Sequence, residues 1–386
     1  MKIAIKHVFL KELRESRNVP IEVMLHKLNL SKDDYQKFEN VDFETDEDNA
    51  ERIANILGYN WSVFLLDKQP VFKKNVDNRT LENKTAHLSK KTILAVEDAN
   101  FILSFYSGLP NKQELKLPKF EDIENSEPED LANKLRESSG ITTDVQEKFT
   151  SDSDALNRWI NYIESLGILV SQYNLDLDDK VRAFSVLENG QAIIVLNTSD
   201  LIPARSFSLF HELGHIIRRT EGLCDLHSSK DKDVETYCNR FAAAFLAPAK
   251  FIDSYIQKEG KSQILSNLEW HVSKISSKLK ISKLAVYRRL ATLGLIDNSK
   301  YMEFHNKYLK FNFTKPVRAK TEDGSKPRGG GNFYLIAKQK NGEFYSKNVF
   351  EAYDYGYITP MEASSALGVS IGILDKYRSW PAIEPI

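Results

Sequence analysis

The chain has 386 residues, 41% of them apolar and 28% charged, with a formal net charge of −1 at pH 7. That length suits two or three domains with real apolar cores, and the near-neutral balance excludes a surface coated in positive charge for nonspecific nucleic-acid binding. Two cysteines, Cys224 and Cys238, argue against a secreted disulfide framework and for a reducing compartment.

Met1 to Glu12 lacks an apolar core long enough for export, and no run of about 18 apolar residues occurs, so the expected location is the cytoplasm. Residues 1–68 read as a helical domain. Val8 to Arg17 forms one helix, Pro20 opens a second that runs to Leu28, Ser31 caps a third over Lys32 to Glu39, and Asn49 to Leu57 forms a fourth. Helix, short turn, helix is the helix-turn-helix layout. Residues 69–130 read as linker and connecting helix, with Gln69 to Ser89 polar and irregular, Lys91 to Tyr106 helical and Leu109 to Pro128 loop-like.

In the next stretch, 131–265, the periodicity changes. Helices over Glu129 to Glu137 and Asp154 to Leu166 precede three β-branched, period-two runs, Ile168 to Gln172, Val181 to Leu187 and Ala192 to Leu196. Asn189-Gly190 is a hairpin turn between the last two. Pro203 opens a helix containing His211-Glu212-Leu213-Gly214-His215, and Lys232 to Ala247 forms another that ends before Pro248. Residues 266–318 form a helical segment in which Ile275 to Leu290 resembles a further helix-turn-helix. In 319–386, Ala319 to Asn332 is a charged, glycine-rich connection. Phe333 to Ala337 and Glu343 to Ser346 are expected to pair as a hairpin around Asn341-Gly342, before a closing helical pair over Thr359 to Leu367 and Ser370 to Tyr377. The expected fold class is α+β, a small sheet packed on two motif helices and flanked by helical domains.

Positions i and i+4 of a helix lie on one face, so His211 and His215 can present two imidazole nitrogens to one ion. Hydrolytic zinc sites take three protein ligands and a water, and a neighbouring carboxylate such as Glu212 can take the proton of that water. Gly214, without a side chain, permits close packing of this helix against a neighbour. A third ligand must come from elsewhere. Glu235 leads, because Glu235, Asn239, Ala242 and Leu246 share one helix face. Asp231, Asp233, Glu221 and His227 stand as alternatives.

Ser206 to His215, then Glu235-Thr236-Tyr237-Cys238-Asn239-Arg240-Phe241-Ala242, then Leu246-Ala247-Pro248, resemble the ImmA/IrrE metallopeptidases. Cys238 stands where that family usually has alanine, a small-for-small exchange. The similarity extends from about Ala132 to Leu374, and the first domain resembles the XRE-type helix-turn-helix often fused to these peptidases. The resemblance implies a zincin-like core, zinc bound by His211, His215 and Glu235, and Glu212 as general base and later proton donor. It also implies a protein substrate, a DNA-binding repressor often of XRE type, whose cleavage derepresses stress or mobile-element genes. A substrate chain would add to an edge strand near Ala192 to Leu196. The oxyanion stabiliser is left open among Tyr237, His227, Arg218 and Arg219.

The candidate DNA-reading helix Ser31 to Asn40 carries Asp33, Asp34 and Glu39 against Lys32 and Lys37, and the acidic stretch Asp42 to Asp48 follows. Phosphates are repelled by such a surface, which favours partner docking over DNA contact. The segment with Lys278, Lys280, Lys283, Arg288 and Arg289 is more basic, and reads either as a DNA face or as a solvated helix face. The rival to the peptidase reading is a DNA- or partner-binding regulator, antitoxin-like, whose structural zinc would be closed by Cys224 or His227.

Overall fold

The computed structural model describes residues 2–16, 19–57, 64, 89–116, 126–176, 179, 181–219, 230–313 and 333–379. The expected linker from Gln69 to Ser89, apart from Ser89 itself, and the glycine-rich connection 319–332 lie outside them. The chain divides into two compact units, residues 1–101 with 174–181, and residues 102–173 with 182–386. The fold is α+β, mostly helical with two small sheets among the described residues. Among the described residues no helix is long and apolar enough to cross a membrane.

In the first unit, β1 (Lys2–Ile5) leads into α1 (His7–Ser16), α2 (Ile21–Leu28) and α3 (Lys32–Asn40), followed by β2 (Phe43–Asp46) and α4 (Glu47–Leu57). Ser31 caps α3 by accepting from Asp34 N–H at 3.2 Å. The two strands pair antiparallel, Lys2 opposite Asp46, and were not anticipated. Their period is visible in Lys-Ile-Ala-Ile, where Ile3 and Ile5 are buried and Lys2 and Ala4 exposed. Leu10, Leu13, Met24, Tyr35 and Ala54 close the core over them. Helix α5 (Lys90–Gly108) begins in this unit, its start capped by Asp179, which accepts from Ser89 N–H at 2.8 Å and Ser89 Oγ at 2.6 Å.

The second unit opens with α6 (Pro128–Ser139), the short α7 (Thr143–Gln146) and α8 (Asp152–Ser165), then β3 (Ile168–Tyr173), β4 (Ala183–Glu188) and β5 (Gln191–Asn197). Asn189 and Gly190 take φ of 52° and 72°, the paired positive values of a tight hairpin turn. The strand order is β3-β5-β4, with β3 parallel and β4 antiparallel to β5. This corrects the expectation of an edge strand at Ala192 to Leu196. β5 is central and buried along its whole length, and β4 is the edge beyond it.

Helices α9 (Ile202–Arg219) and α10 (Lys230–Leu246) follow, then α11 (Ala249–Glu259), α12 (Lys261–Ser266), α13 (Leu268–Leu279), α14 (Lys283–Thr292) and α15 (Asn298–Phe313). Trp159 on α8 meets Phe210 on α9 at 5.4 Å and Phe245 on α10 at 5.6 Å, edge to face, while Phe210 and Phe245 stack at 4.0 Å. These contacts lock three helices together. The carbonyls at the C-terminal end of α10 are orphans by helix geometry. Arg136 donates to Phe245 O at 2.6 Å, Gln146 to Leu246 O at 3.0 Å and Arg289 to Ala247 O at 2.6 Å.

The chain closes with α16 (Phe333–Asn341), α17 (Glu343–Asp354), α18 (Pro360–Leu367), a 3-10 turn over Ile371–Ile373, and α19 (Leu374–Ser379). The expected hairpin around Asn341-Gly342 is therefore a junction between two helices. Gly342 does take a positive φ of 72°, but as the N-cap of α17. Tyr345, Val349 and Ala352, all buried, repeat at helical spacing and decide the element. α16 packs against β3, the strand at the other edge of the sheet from β4.

Candidate metal centre

The apolar face of α9 is Leu209, Phe210, Leu213, Ile216 and Ile217, all buried. That burial fixes the rotation of the helix and brings His211 and His215 to its border, with side chains 17% and 14% exposed. On α10, Phe241, Ala242, Phe245 and Leu246 are buried and anchor the helix in the same way. The two helices approach closely where Gly214 faces Cys238. A Cβ at Gly214 would stand 3.1 Å from Cys238 Sγ and 3.3 Å from its Cα. The missing side chain thus sets the spacing that lets Glu235, one turn before Cys238, reach the histidines.

There the three groups meet. His211 Nε2 lies 3.1 Å from His215 Nε2 and 3.3 Å from Glu235 Oε2, while His215 Nε2 lies 3.1 Å from Glu235 Oε1. A tetrahedral zinc site with bonds of about 2.0–2.1 Å has ligand-to-ligand edges of about 3.3–3.4 Å. The donor set and its spacing therefore fit a zinc ion. Two imidazole nitrogens this close repel each other, whether both carry protons or both carry lone pairs, unless a cation or a single proton is shared. Burial disfavours the charged His211 ring, but the hydrogen bond to Glu235 and the charge of Glu212 outweigh it and raise its pKa. Glu235, against its own burial, is held well below the usual carboxylate range by both histidines.

Glu212, 9% exposed, lies beside this cluster in sequence and points to the sheet, where Ser185 Oγ on β4 donates to its Oε2 at 2.7 Å. Sequence reasoning missed Ser185, since nothing local marks one strand serine among others. Among the described residues His211, His215 and Glu235 form a group of metal-type side chains whose ligand atoms lie within 4.8 Å of one another. Asp233 is exposed on α10, the side chain of Asp231 is not described, and Glu221, Cys224 and His227 lie outside the described residues.

Of the oxyanion candidates, Tyr237 donates to Ser126 O at 3.1 Å, and the Arg218 guanidinium lies over the Tyr237 ring at 4.6 Å. His227 and the side chain of Arg219 lie outside the described residues. The basic group that acts on the centre is Arg288, which opposes protonation of His211 and hydrogen-bonds Tyr301 Oη at 2.5 Å.

Within the basic segment from Lys278 to Arg289, Arg289 departs from the expected surface position. Arg289 is fully buried and pairs bidentately with Glu129, at 2.7 and 2.5 Å. Lys278 pairs with Glu147 at 2.7 Å. An arginine at a helix's last turn can be spaced like a surface residue and still point inward when a carboxylate from another helix waits there. In the first unit, Lys37 of α3 pairs with Asp34 at 3.1 Å, so the acidic character of that helix is only partly relieved.

Among curated proteins, none matches the chain. Residues 163–291, from the end of α8 through the strands and motif helices into α14, match the model of the IrrE N-terminal-like domain, peptidase family M78. Over that segment the match supports a peptidase domain of ImmA/IrrE type.

Proposed function

We propose that the protein is a zinc-dependent endopeptidase that cleaves a regulatory protein, a DNA-binding repressor, and so derepresses the genes that repressor holds silent. The observation that carries this reading is the convergence of His211, His215 and Glu235 beside a Glu212 that Ser185 holds in place. His211, His215 and Glu235 would hold the metal. When bound, zinc supplies Lewis-acid polarisation of the scissile carbonyl and lowers the pKa of a water. Glu212 takes the proton of the attacking water and returns it to the amide nitrogen that leaves. The hydrogen bond from Ser185 leaves Glu212 Oε1 to do this while fixing the rotamer through Oε2.

The substrate chain would lie along β4, whose one strand partner among the described residues is β5. A peptide added there forms main-chain hydrogen bonds to β4 and passes the strand that carries Ser185, next to Glu212. The first unit, with its acid-rich α3, is read as an XRE-like module that docks a protein partner.

The test is incubation of the zinc-loaded chain with a helix-turn-helix repressor of XRE type. Wild-type protein should yield discrete fragments, and Glu212→Gln should keep zinc and yield none. A Glu212→Gln protein that cleaves at the wild-type rate refutes the mechanism.

A further inference from the structure

The N-terminus of α17 rests on the end of α8, where Glu164 accepts a hydrogen bond from the backbone N–H of Phe344. Glu164 is 5% exposed, and its Oε1 is buried without a hydrogen-bond partner among the described residues. Leaving a carboxyl oxygen so is costly, and each such group asks for an explanation. Glu164 also lines a neighbouring cleft. This cleft, of ≈ 320 Å³, lies between α8, β3 and the α16–α17 junction, near the lower end of the sizes seen for small-molecule sites.

Its walls mix apolar surface from Ile160 and Val170 with polar groups. Asn157 and Asn161 of α8, Gln172 of β3 and Gln339 of α16 bring four neutral amides to it. Gly342 lets the chain pass close to β3 and α8, since a Cβ there would collide with Val170 O and come 3.0 Å from Glu164 Oε1. Lys338 and Glu343 are the other charged residues of the lining. Lys338 turns its ammonium to the ring of Tyr377, 5.6 Å from the centroid. Glu343 acts on Glu164 as a like charge. Burial, and then Glu343, push Glu164 up to about 8 against the pull of the Phe344 N–H. Glu164 is thus the buried carboxyl of the cleft, Glu343 an exposed second one, and the Lys338 ammonium lies against the Tyr377 ring.

We propose that this cleft binds a small ligand carrying a guanidinium or ammonium group, whose N–H donates to Glu164 Oε1 while the surrounding amides take the remaining hydrogen bonds. A guanidinium suits it best, because its planar fork of donors matches a carboxylate and adjacent amide oxygens. No residue of the cleft belongs to the metal centre, so the site stands or falls apart from the peptidase reading.

The experiment is calorimetric titration of the full chain with n-butylguanidinium and with its neutral, similarly shaped counterpart n-butylurea. n-Butylguanidinium should bind saturably at one site, with n-butylurea weaker by about tenfold or more, the usual advantage of a charge-assisted pair. Affinity should rise between pH 7 and pH 9, as Glu164 ionises, and Glu164→Gln should remove the preference for the charged probe. In the wild-type protein the carboxyl ¹³C resonance of Glu164 should move toward its ionised position on titration at pH 7, a readout that needs no variant. Equal affinity for the two probes, no saturable binding, or a Glu164 resonance that ignores n-butylguanidinium would overturn the assignment.

Discussion

Ser185 on the edge strand β4 donates to Glu212 on α9 across 2.7 Å, so the sheet holds the carboxylate that sits between the two motif histidines in sequence. A hydrogen bond to a charged group contributes about 1.5–3 kcal/mol. Its loss frees the Glu212 rotamer without touching His211, His215 or Glu235. Ser185→Ala should therefore lower kcat about 10- to 100-fold, with KM and zinc content little changed. Steady-state kinetics with metal analysis checks this, and zinc loss in the variant would mean that Ser185 supports the fold of the centre instead.

Gly214 and Cys238 set the distance between α9 and α10. Gly214→Ala places a methyl 3.1 Å from Cys238 Sγ and 3.3 Å from Cα and Cβ, so the helices must part by a few tenths of an ångström. Overpacking of this kind costs about 1–3 kcal/mol, and here it also draws Glu235 away from the histidines. Zinc affinity should fall about tenfold or more. Cys238→Ala should be near neutral alone and should restore part of the loss in the double variant, because Sγ is the closest contact. Competitive zinc titration of the four proteins measures the coupling; strict additivity contradicts it.

Much of this arrangement is written locally. The three period-two runs appear as β3, β4 and β5 within two residues of their expected bounds, and Asn189-Gly190 turns as its positive φ values require. Their order is not written locally. β4 folds back on β5 through a tight turn, while β3 reaches β5 by a crossover, and that makes β5 central. Asn341-Gly342 misled because the dipeptide specifies a corner, not the elements that meet there. His211 and His215 share a face by spacing alone. Glu235 joins them through the crossing of α9 and α10, which the bare sequence does not state and which the family's second motif makes readable. Ser185, Arg288 and Glu164 act across long sequence separations and leave no mark that distinguishes them from ordinary polar residues.

Glu164 also gives a stability signature. Its carboxyl in the folded protein is raised from 4.5 to about 8, so between those values the native state holds a proton that the unfolded chain releases. Stability from this group is complete below about pH 4.5 and is lost as pH rises toward 8, by an amount on the order of a few kcal/mol. Glu164→Gln removes the cost of ionising a buried carboxyl. Urea unfolding should show the variant close to wild type at pH 5 and more stable at pH 8.5. A variant less stable than wild type at both pH values would show that the ionised carboxylate is needed by the α17 N-terminus.

Arg289 ties the α14 segment to the centre by a different route. Its guanidinium is 0% exposed, forks onto Glu129 of α6 and donates to Ala247 O just beyond α10, so one side chain joins three segments. Removing one partner of such a pair leaves an uncompensated carboxylate and an orphan carbonyl, at a cost of about 3–5 kcal/mol. Arg289→Ala should therefore unfold at markedly lower urea. Arg289→Lys should recover only part of the difference, since an ammonium cannot satisfy the fork and the carbonyl together. Glu129→Gln should also lower the midpoint, because it leaves the fully buried guanidinium without its counter-charge, with one amide oxygen as acceptor in place of the carboxylate. If instead Arg289 served a DNA face, its replacement would leave the unfolding midpoint unmoved and change the salt dependence of DNA binding. Its complete burial excludes that role, and the loss in each of the three variants follows from which buried group it strands.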